Sequence, residues 1–340
     1  MAVTIKDIAK KVGVNPSTVS RVINGTASIS DETRRKIYEA MKELDYHPNS
    51  LARSLAQGST RTIGMVLDAA NTDAYSNSFF IRSMSAIEMV AQEKGYNLLI
   101  ASDTTQINDH AVQDLVQGHK VDGIILPVSS ATDELLDLLI RDMFPFVVMG
   151  EPNRRQDEIS WVDVNNETGS AQAVEHLFGK GYRCPAMLIE NHGTEFEQKR
   201  LSGFRNACRA HAVADGGMVL TCECTREGLT EAVRTLLRER PETDAIICPG
   251  NVAACYTLHA LRTLGKRVPE DIGVVTFDNY PFAEYMDPSL TAVDIDTYRL
   301  GEEAIHLLFE IMQKGGQQKL KKLIPTRMIE RTSTNRKEET

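Results

Sequence analysis

The 340-residue sequence predicts a small all-α head of helix-turn-helix type, followed by an α/β core of two similar, doubly wound parallel-sheet lobes. Three observations carry this. Residues 4–45 hold helix-period apolar stripes and no strand pattern. From Arg61 onward, short apolar strands alternate with helices. That series runs to two sets of about 100 residues each, more than one sheet usually takes.

In the head, Ile5, Ile8, Ala9 and Val12 share one helical face, and Thr4 is placed to cap the helix. Gly13 supplies the left-handed conformation of a tight helix–helix turn. In "VNPSTVSRVINGTAS", residues 14–28, Asn15 is a good N-cap, Pro16 fits the first helical position, and Val14, Val19, Val22 and Ile23 form the apolar face. A third helix follows in "SDETRRKIYEAMKELDY", capped by Ser30, with Ile37, Ala40, Met41 and Leu44 as its stripe, and Pro48 stops it. "NSLARSLAQGS" pairs Leu51 with Leu55 in a helix of about two turns closed by Gly58. Alone it is too short, since about 12–15 residues are needed for stability in water, so its folding depends on a partner.

The core reads as the strands "TIGMVL", "NLLIAS", "VDGIILP" and "FPFVVMG", separated by helices 79–94, 108–119 and 132–141. "PAMLIE", "MVLTC", "DAIICP" and "IGVVTF" repeat the theme, with helices near 166–179, 196–211, 226–239 and 252–264. "TAVDID", a helix over 297–313 and "KLIPTRMIER" close the chain. The expected division is a head over 1–47, a linker over 48–60, a first lobe over 61–160 plus about 292–321, a second lobe over 161–291 plus about 322–335, and a tail over 336–340.

Composition narrows the function. Net charge is −9, yet residues 1–60 carry +3 and the remainder −12. A basic head on an acidic body suits a separate polyanion-binding module, because phosphate attraction acts over about one Debye length, ~8 Å. No apolar run is long enough to span a membrane, and the charged N-terminus lacks a signal-peptide pattern, so a cytoplasmic protein is expected. The six cysteines follow no secreted-framework spacing, and the lone C-x-C in "TCECT" has no second ligand pair, so neither disulfides nor a metal is expected. Phosphate-loop, dinucleotide and nucleophile-elbow motifs are missing, and His192 and Glu195 in "ENHGTE" lack a second histidine, so neither an enzyme nor a cofactor is expected.

Two helices joined at Gly13 have helix-turn-helix spacing, and the second presents Ser17, Thr18, Ser20, Arg21 and Asn24 away from its apolar face. Such side chains donate to phosphates and base edges, and arginine pairs bidentately with guanine. A plain solvated helix is the alternative on this pattern alone.

The run "VTIKDIAKKVGVNPSTVSRVINGTASISDETRRKIYEAMKELDYHPNSLARSL" resembles the DNA-binding head of the lac-repressor (LacI/GalR) family of bacterial regulators. The T-I-x-D-I-A…G-V-x-x-x-T-V-S-R-V-I-N pattern and the hinge segment Y-x-P-N-x-x-A-R-S-L carry the likeness. The body resembles the family's periplasmic-binding-protein-like core. The resemblance implies that Pro16, Ser17 and Arg21 read bases in the major groove, while Thr4, Thr18, Ser20 and Asn24 contact the backbone. It also makes Asn49 and Arg53 of the hinge segment DNA contacts and Leu55 a minor-groove wedge that kinks the duplex.

For the cleft between lobes, the resemblance implies effector contacts at strand ends. Asp68 ends the first strand, and Phe79 lies in "NSFF", similar to the family's N-P-F-F. Arg200 in "QKRLSGF" is the candidate fork for sugar hydroxyls, and Asp278 in "TFDN" matches a late cleft aspartate. Trp161, in "SWVDVNNETG", either stacks on a sugar or packs internally. "GNVAA" places Gly250 and Asn251 where the family has Asn-Asp, with Asn251 still a candidate contact, and Asn165-Asn166 replaces Asp-Asn. The implied protein is a homodimeric repressor of carbohydrate genes, binding a pseudo-palindromic double-stranded operator under control of a small effector. Within the family it most resembles Gram-positive maltose-type regulators, which points to an α-glucoside such as maltose. The alternative is a carbon-catabolite regulator controlled by a phosphocarrier protein.

Overall fold

The structure, a computed structural model, describes residues 3–24, 29–47, 58–68, 78–103, 111–190, 193–315 and 319–336. Asn49, Arg53 and Leu55 lie outside the described residues, as do the side chains of Asn24, Asp68 and Phe79.

The head is three helices, α1 (Ile5–Val12), α2 (Pro16–Asn24) and α3 (Asp31–Glu43). Their stripes converge on one small core of Ile8, Ala9, Val19, Val22, Ile37 and Ala40. The Asp7 carboxylate accepts hydrogen bonds from both the Thr4 N–H (2.9 Å) and the Thr4 hydroxyl (2.7 Å), closing the N-terminus of α1. Gly13 takes φ 77° and its N–H bonds back to Ala9 O at 2.9 Å, ending α1 as its sequence demands. Lys11 reaches across to Glu43 at 2.5 Å, tying α1 to α3.

The core holds two six-stranded sheets. The first lobe contributes β1 (Thr62–Asp68), α4 (Ser78–Glu93), β2 (Asn97–Asp103), α5 (Ala111–Gln117), β3 (Gly123–Pro127), α6 (Asp133–Arg141), β4 (Phe146–Met149) and β5 (Trp161–Val164). The second contributes α7 (Asn166–Gly179), β6 (Pro185–Ile189), α8 (Glu195–Ala210), β7 (Met218–Thr221), α9 (Arg226–Glu239), β8 (Ala245–Cys248), α10 (Asn251–Thr263), β9 (Gly273–Phe277) and β10 (Thr291–Asp294). The chain then returns through α11 (Thr297–Gln313) and β11 (Lys321–Ile324) to the first lobe and finishes with β12 (Arg327–Ile329) in the second.

The strand orders are β11-β5-β4-β3-β1-β2 and β12-β10-β9-β8-β6-β7, the same arrangement twice. All pairings are parallel except β10 with β12. Each lobe also seats one helix pair through a glycine. A Cβ on Gly203 of α8 would lie 2.0 Å from Glu167 O of α7, and one on Gly301 of α11 would lie 2.2 Å from Ser83 O of α4. The "VDGIILP" and "TDAIICP" strands, β3 and β8, are equivalent centre positions.

Sheet membership moves the expected lobe boundaries. β5 pairs with β4 and β11, so Trp161–Val164 completes the first sheet rather than opening the second lobe. β10 pairs with β9, so Thr291–Asp294 is second-lobe, and β11 returns to the first. In each case the chain finishes a strand before it crosses. It crosses between the lobes three times, after β5, after β10 and after β11. Among the described residues, no helix is long and apolar enough to cross a membrane.

Candidate functional site

On the head, α2 turns one edge outward. Pro16, Ser17 and Arg21 are exposed, Thr18 and Ser20 are half-buried, and Val19 and Val22 are buried beneath them. Asn15 caps the helix with its side chain, where Oδ1 accepts from the Ser17 N–H at 2.9 Å and from the Ser17 hydroxyl at 2.8 Å. The serine hydroxyl has therefore given away its hydrogen and faces outward as an acceptor. Thr4, expected to touch DNA, has its hydroxyl committed to Asp7, and that bond, followed by the Thr4 N–H, holds the Asp7 carboxyl below its ordinary value.

The head's charges divide into two sets. Arg34, Arg35 and Lys36 of α3 pair with Asp31, Glu39 and Glu32 on their own helix. Lys6, Lys10, Arg21 and Lys42 form no ion pair with any described residue, so these cations remain available to a polyanion.

Asp122, which sequence reasoning missed, fixes the far end of the linker. Its Oδ1 accepts from Thr60 N–H (2.7 Å) and hydroxyl (2.8 Å), and its Oδ2 from Arg61 N–H (3.0 Å) and the Ser59 hydroxyl. One carboxylate just before β3 thus clasps the three residues that precede β1.

Between the lobes, α8 carries Arg200 inward, 6% exposed. Its Nε donates to Asn166 Oδ1 at 2.9 Å and its Nη1 to Pro249 O at 3.0 Å. Its guanidinium carbon lies 3.8 Å above the Phe277 ring centre and 5.0 Å from that of Phe196. Burial pulls this group below its ordinary value, and Asp278, Glu197, Asp163 and Glu190 oppose the pull. It stays charged, because an arginine starts so far above neutrality. Its described hydrogen bonds go to an amide oxygen and a carbonyl, not to any of those four carboxylates.

Asp278, at the end of β9, adopts φ 66°, an unusual backbone for a non-glycine residue. Its Oδ1 is buried without a partner among the described residues, and burial raises its carboxyl against the opposing effects of Arg200 and a Tyr280 hydrogen bond. Asn251, 1% exposed, donates its Nδ2 to Phe277 O (3.0 Å) and Asp278 O (2.8 Å), and its Oδ1 also lacks a described partner. Arg200, Asn251 and Asp278 therefore come together, as expected, around an unsatisfied set of acceptors. Trp161 does not join them. It starts β5, opposite the strand ends that face the cleft, and packs in the first-lobe core with Val148 and Ile159, 5% exposed. The internal-packing alternative holds, and the sugar-stacking role is withdrawn.

Several cleft residues were not singled out from sequence. Asp163 of β5, 7% exposed, accepts from Glu151 N–H at 3.0 Å and Val164 N–H at 2.7 Å and stands 3.4 Å from Asn166 Nδ2. Burial pushes its carboxyl up to about 6, against those hydrogen bonds and Arg200. Lys199 of α8 bonds Glu151 of the first lobe at 2.8 Å. Glu190, raised by burial, lines a 490 Å³ concavity with Thr221, Cys222, Glu223 and Cys224 at the ends of β6 and β7. Burial pushes both cysteine thiols up to about 12, so they stay protonated at neutral pH. The Asn165-Asn166 departure is structurally sound. Asn165 Oδ1 caps α7 through Thr168 N–H at 3.0 Å, and asparagine caps as well as aspartate.

Known proteins resemble the chain over both its head and its core. Residues 4–49 match the model of bacterial regulatory proteins of the lacI family, and residues 174–334 match a periplasmic binding protein-like domain. The chain is 30% identical to the transcriptional regulator CelR of Thermobifida fusca over 97% of this chain and 98% of that one. It is 31% identical to the regulator MalR of Staphylococcus xylosus, over 98% of each. A CelR–cellobiose complex superposes with a TM-score of 0.74 at 28% identity, covering 97% and 99% of the two chains. A lac repressor dimer bound to operator and an anti-inducer gives 0.84 at 23% identity, covering 98% and 99%. Head, core and full-length likeness together establish that the chain belongs to the lacI family of bacterial regulatory proteins.

Proposed function

We propose that the protein is a repressor that binds a pseudo-palindromic operator as a homodimer and that a neutral sugar, bound between the lobes, controls its operator affinity. The observation that carries the effector half is the buried set of Arg200, Asn251 and Asp278. The set holds one charged donor and two buried acceptor oxygens that have no described partner, and vicinal hydroxyls satisfy both kinds at once. The exposed edge of Pro16, Ser17 and Arg21 supports the DNA half, with base hydrogen bonds falling on Ser17 and Arg21 because Pro16 has no polar side-chain atom. Homodimers match palindromic half-sites through their own two-fold axis.

Signal transfer follows from the clasp. Residues 59–61 are bonded to Asp122, so a change in the first lobe displaces the linker that carries the head. Moving a two-state equilibrium from 1:99 to 99:1 takes about 5.5 kcal/mol of differential affinity, so the sugar must favour one lobe arrangement strongly. A glucose disaccharide suits this reading, supported by the likeness to MalR and to a CelR–cellobiose complex, and the α-glucoside maltose is the first candidate.

The test is a titration of palindromic DNA from upstream of the protein's own gene, at fixed salt, with and without maltose, cellobiose and glucose. A sugar-dependent change in operator affinity is expected. Sequence-independent DNA binding, or no response to any sugar, would overturn the corresponding half.

A further inference from the structure

Gly250 is a glycine without an internal reason. Gly13 needs its left-handed φ of 77°, and Gly203 needs its missing Cβ because Glu167 O would lie 2.0 Å away. Gly250 has φ −169° and ψ 174°, an extended conformation any residue adopts. A Cβ there would meet only Asp278 Oδ2, at an ordinary 3.7 Å. The residue also caps α10 and makes no side-chain cap hydrogen bond, although serine, asparagine or aspartate would supply one. Neither backbone nor packing nor helix stability asks for glycine here.

What does surround the position is unsatisfied. The next residue, Asn251, is 1% exposed with Oδ1 unpartnered among the described residues, and Asp278 Oδ1 is in the same state. We propose that Gly250 is a specificity-determining residue whose missing side chain makes room beside Asp278 for a hydrogen-bond-donating group of the ligand, a hydroxyl or an ammonium. The inference rests on the sugar-effector reading above and adds which ligand groups the cleft takes. Phosphate and carboxylate are excluded by charge. Asp278, Glu197, Asp163 and Glu190 act on Arg200, the one buried lysine or arginine among the described residues, so an added anion meets an excess of carboxylates. The N-terminus of α10 favours an anion, but the Asp278 carboxylate already lies beside it.

The test uses full-length wild type, Gly250→Ser and Gly250→Ala, with calorimetric titration of maltose, cellobiose, glucosamine and glucose 6-phosphate, and thermal unfolding of the ligand-free proteins. Gly250→Ser should unfold at a temperature equal to or above wild type, because serine caps α10, yet bind the preferred sugar about tenfold or more weakly. Gly250→Ala, which adds only the Cβ, should weaken binding in the same direction and guards against an effect of the serine hydroxyl. Unchanged sugar affinity in both variants overturns the proposal while leaving the sugar-effector reading intact. Tighter binding of glucose 6-phosphate than of any uncharged or amino sugar also overturns it. If wild type binds none of the four, the sugar-effector reading itself fails, and this inference fails with it.

Discussion

Lys199 and Glu151 join the two lobes directly, Nζ to Oε1 at 2.8 Å, with side chains 27% and 17% exposed. The pair holds α8 of the second lobe to the segment after β4 of the first. Lys199→Met should cost this lobe arrangement on the order of 1 kcal/mol, since the pair is partly screened. A sugar gripped between the lobes should then bind about fivefold more weakly. Calorimetry on the variant checks this, and an affinity equal to wild type would show that the ion pair does not bias the lobes.

Asp163 predicts an unusual pH dependence. Its folded pKa of about 6 lies above the ordinary 3.8, so the folded state holds its proton more tightly than the unfolded chain. Its stabilising contribution is complete below about pH 4 and is lost as pH rises through about 6. The gap between 3.8 and about 6 corresponds to roughly 3 kcal/mol. Other carboxylates run the opposite way, Asp271 being held down to about 2 by Arg267, so the difference between proteins is the readout. Asp163→Asn should flatten the fall in melting temperature between pH 4 and pH 7 relative to wild type. Parallel melting curves would remove Asp163 as its source.

On the head, Arg21→Ala should weaken operator binding by about 1–3 kcal/mol and relax preference at one base pair. Ser17 offers only acceptor lone pairs, its hydrogen being held by Asn15. Ser17→Ala should therefore erase discrimination at a pair presenting an adenine or cytosine amino group. Competition against a library of operators mutated one pair at a time distinguishes these effects. Uniform weakening on every sequence would make both residues backbone contacts.

Asp122→Ala should separate sensing from response. The clasp on residues 59–61 lies far from Arg200 in the sequence and touches none of the cleft residues described. Sugar affinity should persist, while the sugar-induced change in operator affinity shrinks, by an amount within the usual coupling range of about 1–3 kcal/mol. Full coupling in the variant would mean that the lobe signal reaches the head by another route.

The apolar periodicity made the described α-helices and most strands of the two sheets legible, because burial on one face writes a period of 3.6 or 2 into the chain, but the short strand β5 was not read as one. The same local reading misplaced Trp161 by one lobe. Its place is set by pairing with β4 on one side and on the other with β11, which is distant in sequence, and no local pattern records that pairing. Arg200, Asn251 and Asp278 were found through motifs, whereas Asp163, Lys199 and Glu151 were not. Their roles arise only when crossover geometry buries one carboxylate and brings two helix and loop ends together. Asp122 was missed for a similar reason: its partners precede it by about sixty residues.

The three passages of the chain between lobes also restrict how the core can move. Two bodies joined by one strand twist and slide freely, but three adjacent tethers leave mainly a single opening angle. Two of these tethers are bonded to each other, Asn165 N–H to Ile324 O at 2.8 Å. Such a core has mainly one coordinate, which the proposed ligand would drive and the linker would read without any continuous wire of side chains between them.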